Sequence, residues 1–182
     1  GPDPKFDIAT IDTANNGIHV FAGWTATRTA TGRYAIWSEG TAMVSSSTIV
    51  HRSMELWPVY RAVTVSVNSN IDKEIEAAGK KPENYRSLSR LDSIDSVALV
   101  AEAKDFPGYQ FDHWATEYDS TTGQGTPVTD NNNFVLRGNR PFEKDTTYTA
   151  VYVKVHEVRY HDTQGNVIYA ANVKETDNRT FV

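Results

Sequence analysis

Five histidines and several groups of acidic residues are the side chains of this sequence that could bind a metal or carry acid-base catalysis. No two histidines are four residues apart, so no pair is placed on one helix face as in the common zinc motif. Asp72 and Glu76 would share a helix face, as solvated acids commonly do. His113 is of most interest, because it lies between Asp112 and Trp114. The sequence therefore predicts no catalytic residue, no metal site and no cofactor.

Residues 130–133, which read Asp-Asn-Asn-Asn, offer the hard oxygen ligands that calcium prefers. Asp119 lies earlier in the same polar segment, but the segment carries too few carboxylates for a dedicated site. The alternative is a turn in which asparagine side chains bond to the neighbouring backbone. The turn is the favoured interpretation.

Exposed aromatic rings would indicate a different function, the binding of carbohydrate. Sugar rings place their apolar C–H faces on aromatic side chains, and their hydroxyl groups need polar partners at the rim. The candidate glycan-binding residues are Tyr34, Trp37, Tyr118, Gln124, Asp130 and Asn132. The competing interpretation places these aromatic residues in the core, where rings on short strands usually lie.

Composition argues against several other classes of function. The 182 residues carry a net charge of −5 without a Lys/Arg-dense stretch, so nucleic acid is not expected as a partner. No long apolar run is present, and no membrane insertion is expected. Cysteine is absent, which excludes disulfides and is compatible with a bacterial extracellular protein. Gly1-Pro2 resembles the remnant of a removed purification tag, so we expect a longer native protein.

Alternation of apolar and polar residues predicts a mainly β chain. Asn15-Asn16-Gly17 and Gly165 mark the turns of two hairpins. Residues 119–133 are rich in Ser, Thr, Gly, Asp and Asn and are predicted as a surface loop. The predicted strands are residues 18–24, 33–37, 56–67, 97–103, 111–118, 134–136, 147–155, 158–161 and 167–170.

Two segments have helical spacing. Ile71 and Ile75, four residues apart before Gly79, predict a short helix over residues 70–78 with an Asn or Asp cap. Residues 80–96 have apolar residues three apart, which fits a second short helix or an ordered loop.

One aromatic motif occurs twice. Residues 108–114 read Gly-Tyr-Gln-Phe-Asp-His-Trp and are followed by the alternating Tyr-Thr-Ala-Val-Tyr of residues 148–152. Residues 21–24 read Phe-Ala-Gly-Trp and are followed by Leu-Trp-Pro-Val-Tyr at residues 56–60. Because the two Trp-to-Tyr separations are similar, we expect the two motif tryptophans in equivalent buried positions.

The motif resembles the GY-x-F-x-G-W signature of the Listeria–Bacteroides repeat, the family of the internalin B-repeat, and the alternating segment resembles its closing strand. His113 stands where the signature has glycine, and Pro58 stands where the closing strand has alanine. The resemblance implies small β-grasp units in secreted or wall-attached proteins of Gram-positive and gut bacteria, with roles in spacing, adhesion and host contact. The signature contains no catalytic residue.

We therefore predict a mainly β (α+β) fold of tandem small β-grasp-like repeat units with one or two short helices. The units are expected at residues 1–61, at 62–155 with a helical insertion over 70–96, and at 156–182 as a further unit or terminal hairpin. The predicted function is non-catalytic: adhesion or spacing in a secreted or cell-wall-attached bacterial surface protein. The alternatives are a carbohydrate-binding module and an accessory domain of a secreted enzyme. We expect a monomer that contacts a host or bacterial surface protein or glycan.

Overall fold

The computed structural model describes residues 10–12, 17–30, 32–93, 96–137 and 140–175. Its strands are β1 Thr10–Asp12, β2 Gly17–Thr25, β3 Ala35–Ile36, β4 Trp57–Val63, β5 Val65–Ser69, β6 Arg86–Ser93, β7 Ser96–Ala103, β8 Tyr109–Asp119, β9 Gln124–Thr129, β10 Asn133–Arg137, β11 Thr146–His161 and β12 Val167–Lys174. The α-helix within these ranges is α1, Asp72–Ala77, and single turns of 3-10 helix lie at Pro82–Asn84 and Arg140–Phe142. The predicted mainly β fold with short helices is confirmed.

The chain divides into two compact units, each assembled from three segments. Unit 1 comprises residues 1–65, 90–99 and 136–146, and unit 2 comprises residues 66–89, 100–135 and 147–182. A three-stranded sheet has the order β10–β7–β6. The predicted division into contiguous repeats at residues 61 and 155 stays a prediction.

Unit 1 contains a four-stranded sheet in the order β1–β2–β4–β3. β1 and β2 form an antiparallel hairpin that pairs Ile11 with Ile18, which confirms the predicted hairpin, although residues 13–16 of its turn lie outside the described residues. β2 also pairs antiparallel with β4, whereas β3 runs parallel to β4. The buried apolar residues of this unit are Ile18, Val20, Val59, Val63, Ala98, Leu99, Leu136 and Phe142.

Unit 2 contains a sheet in the order β12–β11–β8–β9, and β5 also pairs with β11. β11 is 16 residues long, and it pairs with β8 from Thr149 to Lys154 and with β12 from Val155 to His161. The hairpin between β11 and β12 turns at Gly165 with a φ of 85°, as predicted, because glycine tolerates this backbone conformation. The larger buried residues of unit 2 are Ile71, Ile75, Phe106, Trp114, Tyr148, Val151 and Tyr152.

The predicted short helix is confirmed, but its predicted cap is wrong. The N-cap residue is Ile71, and no side chain caps the helix. The Ile71 amide instead donates to Ser69 Oγ at 3.2 Å. The Asn70 side chain instead forms hydrogen bonds with the backbone of Tyr152 in β11. A tertiary contact therefore takes the asparagine that local sequence assigned to the helix end.

Two polar segments form strands against expectation. Residues 86–93 form β6, and not the second helix, loop or helical insertion predicted over residues up to 96. Pairing with β7 outweighs the three-residue apolar spacing, because backbone hydrogen bonding between strands does not require an apolar pattern. The predicted surface loop contains β9, which pairs with β8 while its side chains stay largely exposed. β9 lies at the sheet edge, where Pro127 is tolerated.

Candidate functional site

The first copy of the aromatic motif forms a cluster in unit 1. Phe21 lies directly opposite Tyr60 in the β2–β4 pair, and their ring centroids are 6.0 Å apart. The register then shifts so that Ala22 has no partner, and Trp24 lies opposite Pro58. This β-bulge returns the Trp24 ring to within 5.5 Å of the Phe21 ring, edge to face.

The second copy forms the same cluster in unit 2. Phe111 lies directly opposite Tyr152 in the β8–β11 pair, again with ring centroids 6.0 Å apart. The register shifts at Asp112, and Trp114 lies opposite Ala150. The Phe111 and Trp114 rings are 5.8 Å apart. The two copies therefore share their strand pairing, the position of their bulge and their three-ring cluster.

The clusters differ in burial, which corrects the expectation that both tryptophans are equally buried. Trp114 is 0% exposed, whereas Trp24 is only half-buried. In unit 2 the ring of Tyr152 is also buried, and its hydroxyl lies 3.0 Å from the Tyr85 carbonyl and 2.8 Å from that of Lys104. Burial raises the pKa of Tyr152 well above its ordinary value, so the hydroxyl is a proton donor. The described part of unit 1 contains no α-helix and no hydroxyl anchor of this kind at Tyr60.

The glycine of the motif has a structural reason in unit 1. Gly23 has a φ of 140°, and a Cβ atom there would lie 2.8 Å from Cε of Met43. A residue with a side chain rarely adopts this φ, so glycine is favoured here, and a larger residue would also displace the flexible end of Met43. In unit 2 the equivalent position is His113, whose side chain takes part in an ionic cluster.

Asp112, His113 and Lys174 form this cluster, which joins the bulge of β8 to the end of β12. Nδ1 of His113 lies 2.6 Å from Oδ2 of Asp112, and Nζ of Lys174 donates to Oδ1 at 3.0 Å. The hydrogen bond from His113 lowers the pKa of Asp112, and Lys174 lowers it further. Each of the three side chains is about one-third exposed. Its chemistry is that of a solvated ionic link between strands that flank β11.

Replacing Asp112 with asparagine is expected to reduce the acid sensitivity of the protein. Since the pKa of Asp112 is lowered in the folded state, its contribution is present above the unfolded carboxyl pKa and is lost as pH falls through the folded value. We expect an effect below about 1 kcal/mol at pH 7, because the pair is solvated. Urea midpoints at pH 7 and pH 3 measure it. Asp130→Asn, which removes an exposed carboxylate outside the cluster, is the control; equal changes in both variants would contradict the prediction.

The predicted glycan-binding residues of unit 1, Tyr34 and Trp37, lie on either side of β3. They are 45% and 41% exposed, respectively. Tyr34 packs edge to face with Tyr60 at 5.9 Å, and the Trp37 backbone amide donates to the Tyr60 carbonyl. Tyr34 thus contacts a ring of the aromatic motif, whereas Trp37 contacts Tyr60 through its backbone, and Trp37 carries the sugar-stacking hypothesis in this region.

Tyr118 and Gln124 come together at the β8–β9 turn in unit 2. Asp119 pairs with Gln124, and a Cβ atom on Gly123 would lie 3.9 Å from the Tyr118 hydroxyl. Gln124 is exposed and Tyr118 is half-buried. The hairpin therefore brings the backbones of these two predicted residues near each other.

Asp130 and Asn132 lie beyond the other end of β9. Asp130 lies six positions after Gln124 along the extended chain, a distance of about 20 Å. The Asn132 side chain donates to the Ala103 carbonyl at 3.2 Å, and the Asn132 backbone carbonyl accepts from the Ala103 amide. Asn132 therefore holds the turn to β7. The Asn131 side chain accepts from the Asn133 amide at 3.1 Å, which supports the turn interpretation of this segment.

Other chemically reactive side chains have structural partners. Asp72 accepts from two nitrogens of Arg86, at 3.0 and 3.3 Å. His156 lies 3.4 Å from Glu175, and Nδ1 of His161 lies 3.1 Å from the Gly165 carbonyl. Across the described ranges, no three His, Asp or Glu side chains converge as metal ligands. No helix among the same residues has the length and apolar character needed to cross a bilayer.

Sequence reasoning missed Asn70 and Lys174 as partners of the motif. Asn70 lies 82 residues before Tyr152, and Lys174 lies 62 residues after Asp112. Neither carries a local signal for its contact. The tertiary structure brings Asn70 to Tyr152 and Lys174 to Asp112, and the sequence around each residue does not indicate this contact.

Comparison with protein-family models, with curated proteins and with solved structures gives no match for this chain. The family resemblance of the aromatic motif therefore stays a prediction. The internal repetition of the motif rests on the chain's own pairing register.

Proposed function

We propose that this chain is a non-catalytic repeat region of a secreted or cell-wall-attached bacterial surface protein, in which it serves adhesion or spacing. The observation that carries the proposal is the duplicated motif. Two segments with little identity outside their aromatic residues reproduce one bulged register, with Phe21 and Phe111 opposite Tyr60 and Tyr152. Repeated small modules of this kind extend a chain stepwise, which suits a spacer.

The chemistry of the motif supports a structural role for its aromatic residues. Three rings per copy bury a large apolar area beneath a short sheet, on the order of 150–250 Å² each. Asp112, the charged residue of the bulge, is engaged by Lys174 and His113. The absence of cysteine fits a surface protein that folds without disulfides. The motif itself therefore contributes stability, and adhesion belongs to side chains outside it.

Surface labelling of intact cells tests the proposed location. Antibodies raised against the purified chain are applied to cells of the encoding organism before and after lysis. We expect labelling of intact cells, and we expect brief trypsin treatment of those cells to release peptides of the chain. Labelling that appears only after lysis would refute the proposal. An antibody against a cytoplasmic protein controls for leaky cells.

The second candidate function is carbohydrate binding, and Trp37 favours it. This ring is 41% exposed and has no counterpart in the second copy of the motif. The exposed indole offers an apolar surface that the C–H face of a sugar ring can cover.

Under this second candidate function, replacing Trp37 with alanine is expected to abolish saturable glycan binding at the Trp37 surface while the protein stays folded. The physical reason is loss of the stacking surface, which typically dominates such contacts. A glycan array followed by titration of positive glycans measures the effect. Ile36→Ala, which removes a neighbouring side chain that is 44% exposed, is the matched control and is expected to bind normally. Binding that survives Trp37→Ala, or a lack of binding by the wild type, would count against this candidate at this position.

A further inference from the structure

Unit 1 contains a concavity whose lining residues are not among the predicted glycan-binding residues. Its volume is about 430 Å³, and we call it the Trp57 concavity. Its lining residues are Ala26, Arg52, Ser53, Met54, Glu55 and Trp57. Five of these residues lie on one segment that leads into β4, and Ala26 follows the end of β2.

Trp57 occupies a position that the repeat does not require to be aromatic. In the β2–β4 pair it lies opposite Thr25. The equivalent residue of unit 2 is Thr149, which lies opposite Ala115 and is only 3% exposed. Thr149 bonds to the side chain of Asn68 at 2.6 Å. A small polar residue thus completes the sheet in unit 2, so strand pairing at this position does not require the indole of Trp57.

The concavity is lined by polar side chains that make no hydrogen bond or ion pair with other described residues. Within the described ranges, no hydrogen bond or ion pair engages the side chains of Arg52, Ser53 or Glu55. Together they offer guanidinium donors, a hydroxyl and carboxylate acceptors. Met54, 37% exposed, adds an apolar surface beside the half-buried Trp57. Apolar wall and polar rim therefore lie within one site.

The charges of the lining select the class of ligand. The positive charge of Arg52 and the negative charge of Glu55 cancel, so the site favours neither an anion nor a cation. A wholly apolar ligand would desolvate both groups without pairing them, which is costly. A neutral polyhydroxylated ring has an apolar face for the indole and hydroxyl groups for the donors and acceptors.

We propose that the Trp57 concavity binds a neutral saccharide, with the sugar ring against Trp57 and its hydroxyl groups bonded to Arg52, Ser53 and Glu55. The proposal rests on the carbohydrate-binding candidate described above and assigns it a different site.

Titration of the ¹⁵N-labelled full chain with neutral hexasaccharides of glucose, mannose, xylose and N-acetylglucosamine tests the proposal. The indole N–H signals of the four tryptophans are followed, and Trp57→Phe assigns the signal of Trp57. We expect that signal to shift and saturate with at least one hexasaccharide. Glu55→Gln, which preserves shape, is expected to weaken binding about fivefold or more, since one charged partner is lost. Glu39→Gln, at an exposed acid outside the concavity, is the matched control and is expected to bind as the wild type does.

The outcomes separate this site from the function itself. Saturable sugar binding that Trp37→Ala abolishes and Glu55→Gln leaves unchanged would overturn the Trp57 site and retain carbohydrate binding. Failure of every hexasaccharide to move any indole signal would overturn both. Filling the concavity by Ser53→Trp gives an independent check, because this exposed position tolerates substitution and retained affinity would also overturn the proposal.

Discussion

Replacing Trp114 with alanine is expected to lower the free energy of unfolding by about 3–5 kcal/mol. The side chain is 0% exposed and lies opposite Ala150, which is also fully buried. Removing the indole deletes its contacts with Phe111 and leaves a cavity that neighbouring strands cannot close, because their pairing fixes their spacing. Urea unfolding followed by circular dichroism measures the loss.

Trp24→Ala is the matched control for this prediction. Trp24 occupies the equivalent position of unit 1 but is half-buried, so a loss of about 1–2 kcal/mol is expected from the smaller area it removes from water. Equal losses in the two variants, or a loss below about 1 kcal/mol for Trp114→Ala, would show that Trp114 is not the core residue of its unit.

Trp114→Phe separates packing from hydrogen bonding. The indole Nε1 of Trp114 is buried and has no hydrogen-bond acceptor among the described residues. Phenylalanine removes this unpaired donor while it keeps a ring in place, so it is expected to cost less than alanine.

Replacing Asn70 with alanine is expected to lower the free energy of unfolding by about 2–4 kcal/mol. Its side chain acts as a short piece of strand: Nδ2 donates to the Tyr152 carbonyl at 3.0 Å, and Oδ1 accepts from the Tyr152 amide at 2.8 Å. Tyr152 is only 3% exposed, so alanine would leave two backbone groups of a buried residue unpaired. Urea unfolding and amide hydrogen exchange at Tyr152 measure the effect.

Asn68→Ala supplies the comparison for Asn70. Asn68 belongs to the same segment, but it is exposed and accepts one hydrogen bond, from the Thr149 hydroxyl. We expect a loss of about 1 kcal/mol and an unchanged exchange rate at Tyr152. If Asn70→Ala costs no more than Asn68→Ala, the Asn70 amide does not complete the strand ladder.

Local sequence determined several elements of this protein. The helix α1 follows from Ile71 and Ile75 four residues apart, since that spacing gives one buried face. The β11–β12 hairpin follows from Gly165, because glycine adopts positive φ without steric cost. The repeated rings identify β2 and β8, the strands on which both aromatic clusters are built. These features depend on residues within a few positions of one another.

The tertiary structure alone decided which polar segments form strands and which partners the polar side chains bind. β6 and β9 lack a strong strand pattern and are strands because a neighbour pairs with their backbone. Asn70 serves β11 and not the helix, because a buried backbone must be satisfied first. The same pairing separates Gln124 from Asp130 along β9.

The two copies of the aromatic motif show what local sequence determines and what the tertiary structure decides. Phe, Trp and Tyr at matching spacing predicted one arrangement twice, and the structure gives both copies the same register and the same bulge. Burial does not, because it depends on what the rest of the chain places over the rings. Tyr85 and Lys104 supply carbonyls for the Tyr152 hydroxyl in unit 2, and Trp114 is enclosed while Trp24 is not. The aromatic motif has the same strand pairing in both copies, whereas long-range contacts decide which copy is buried.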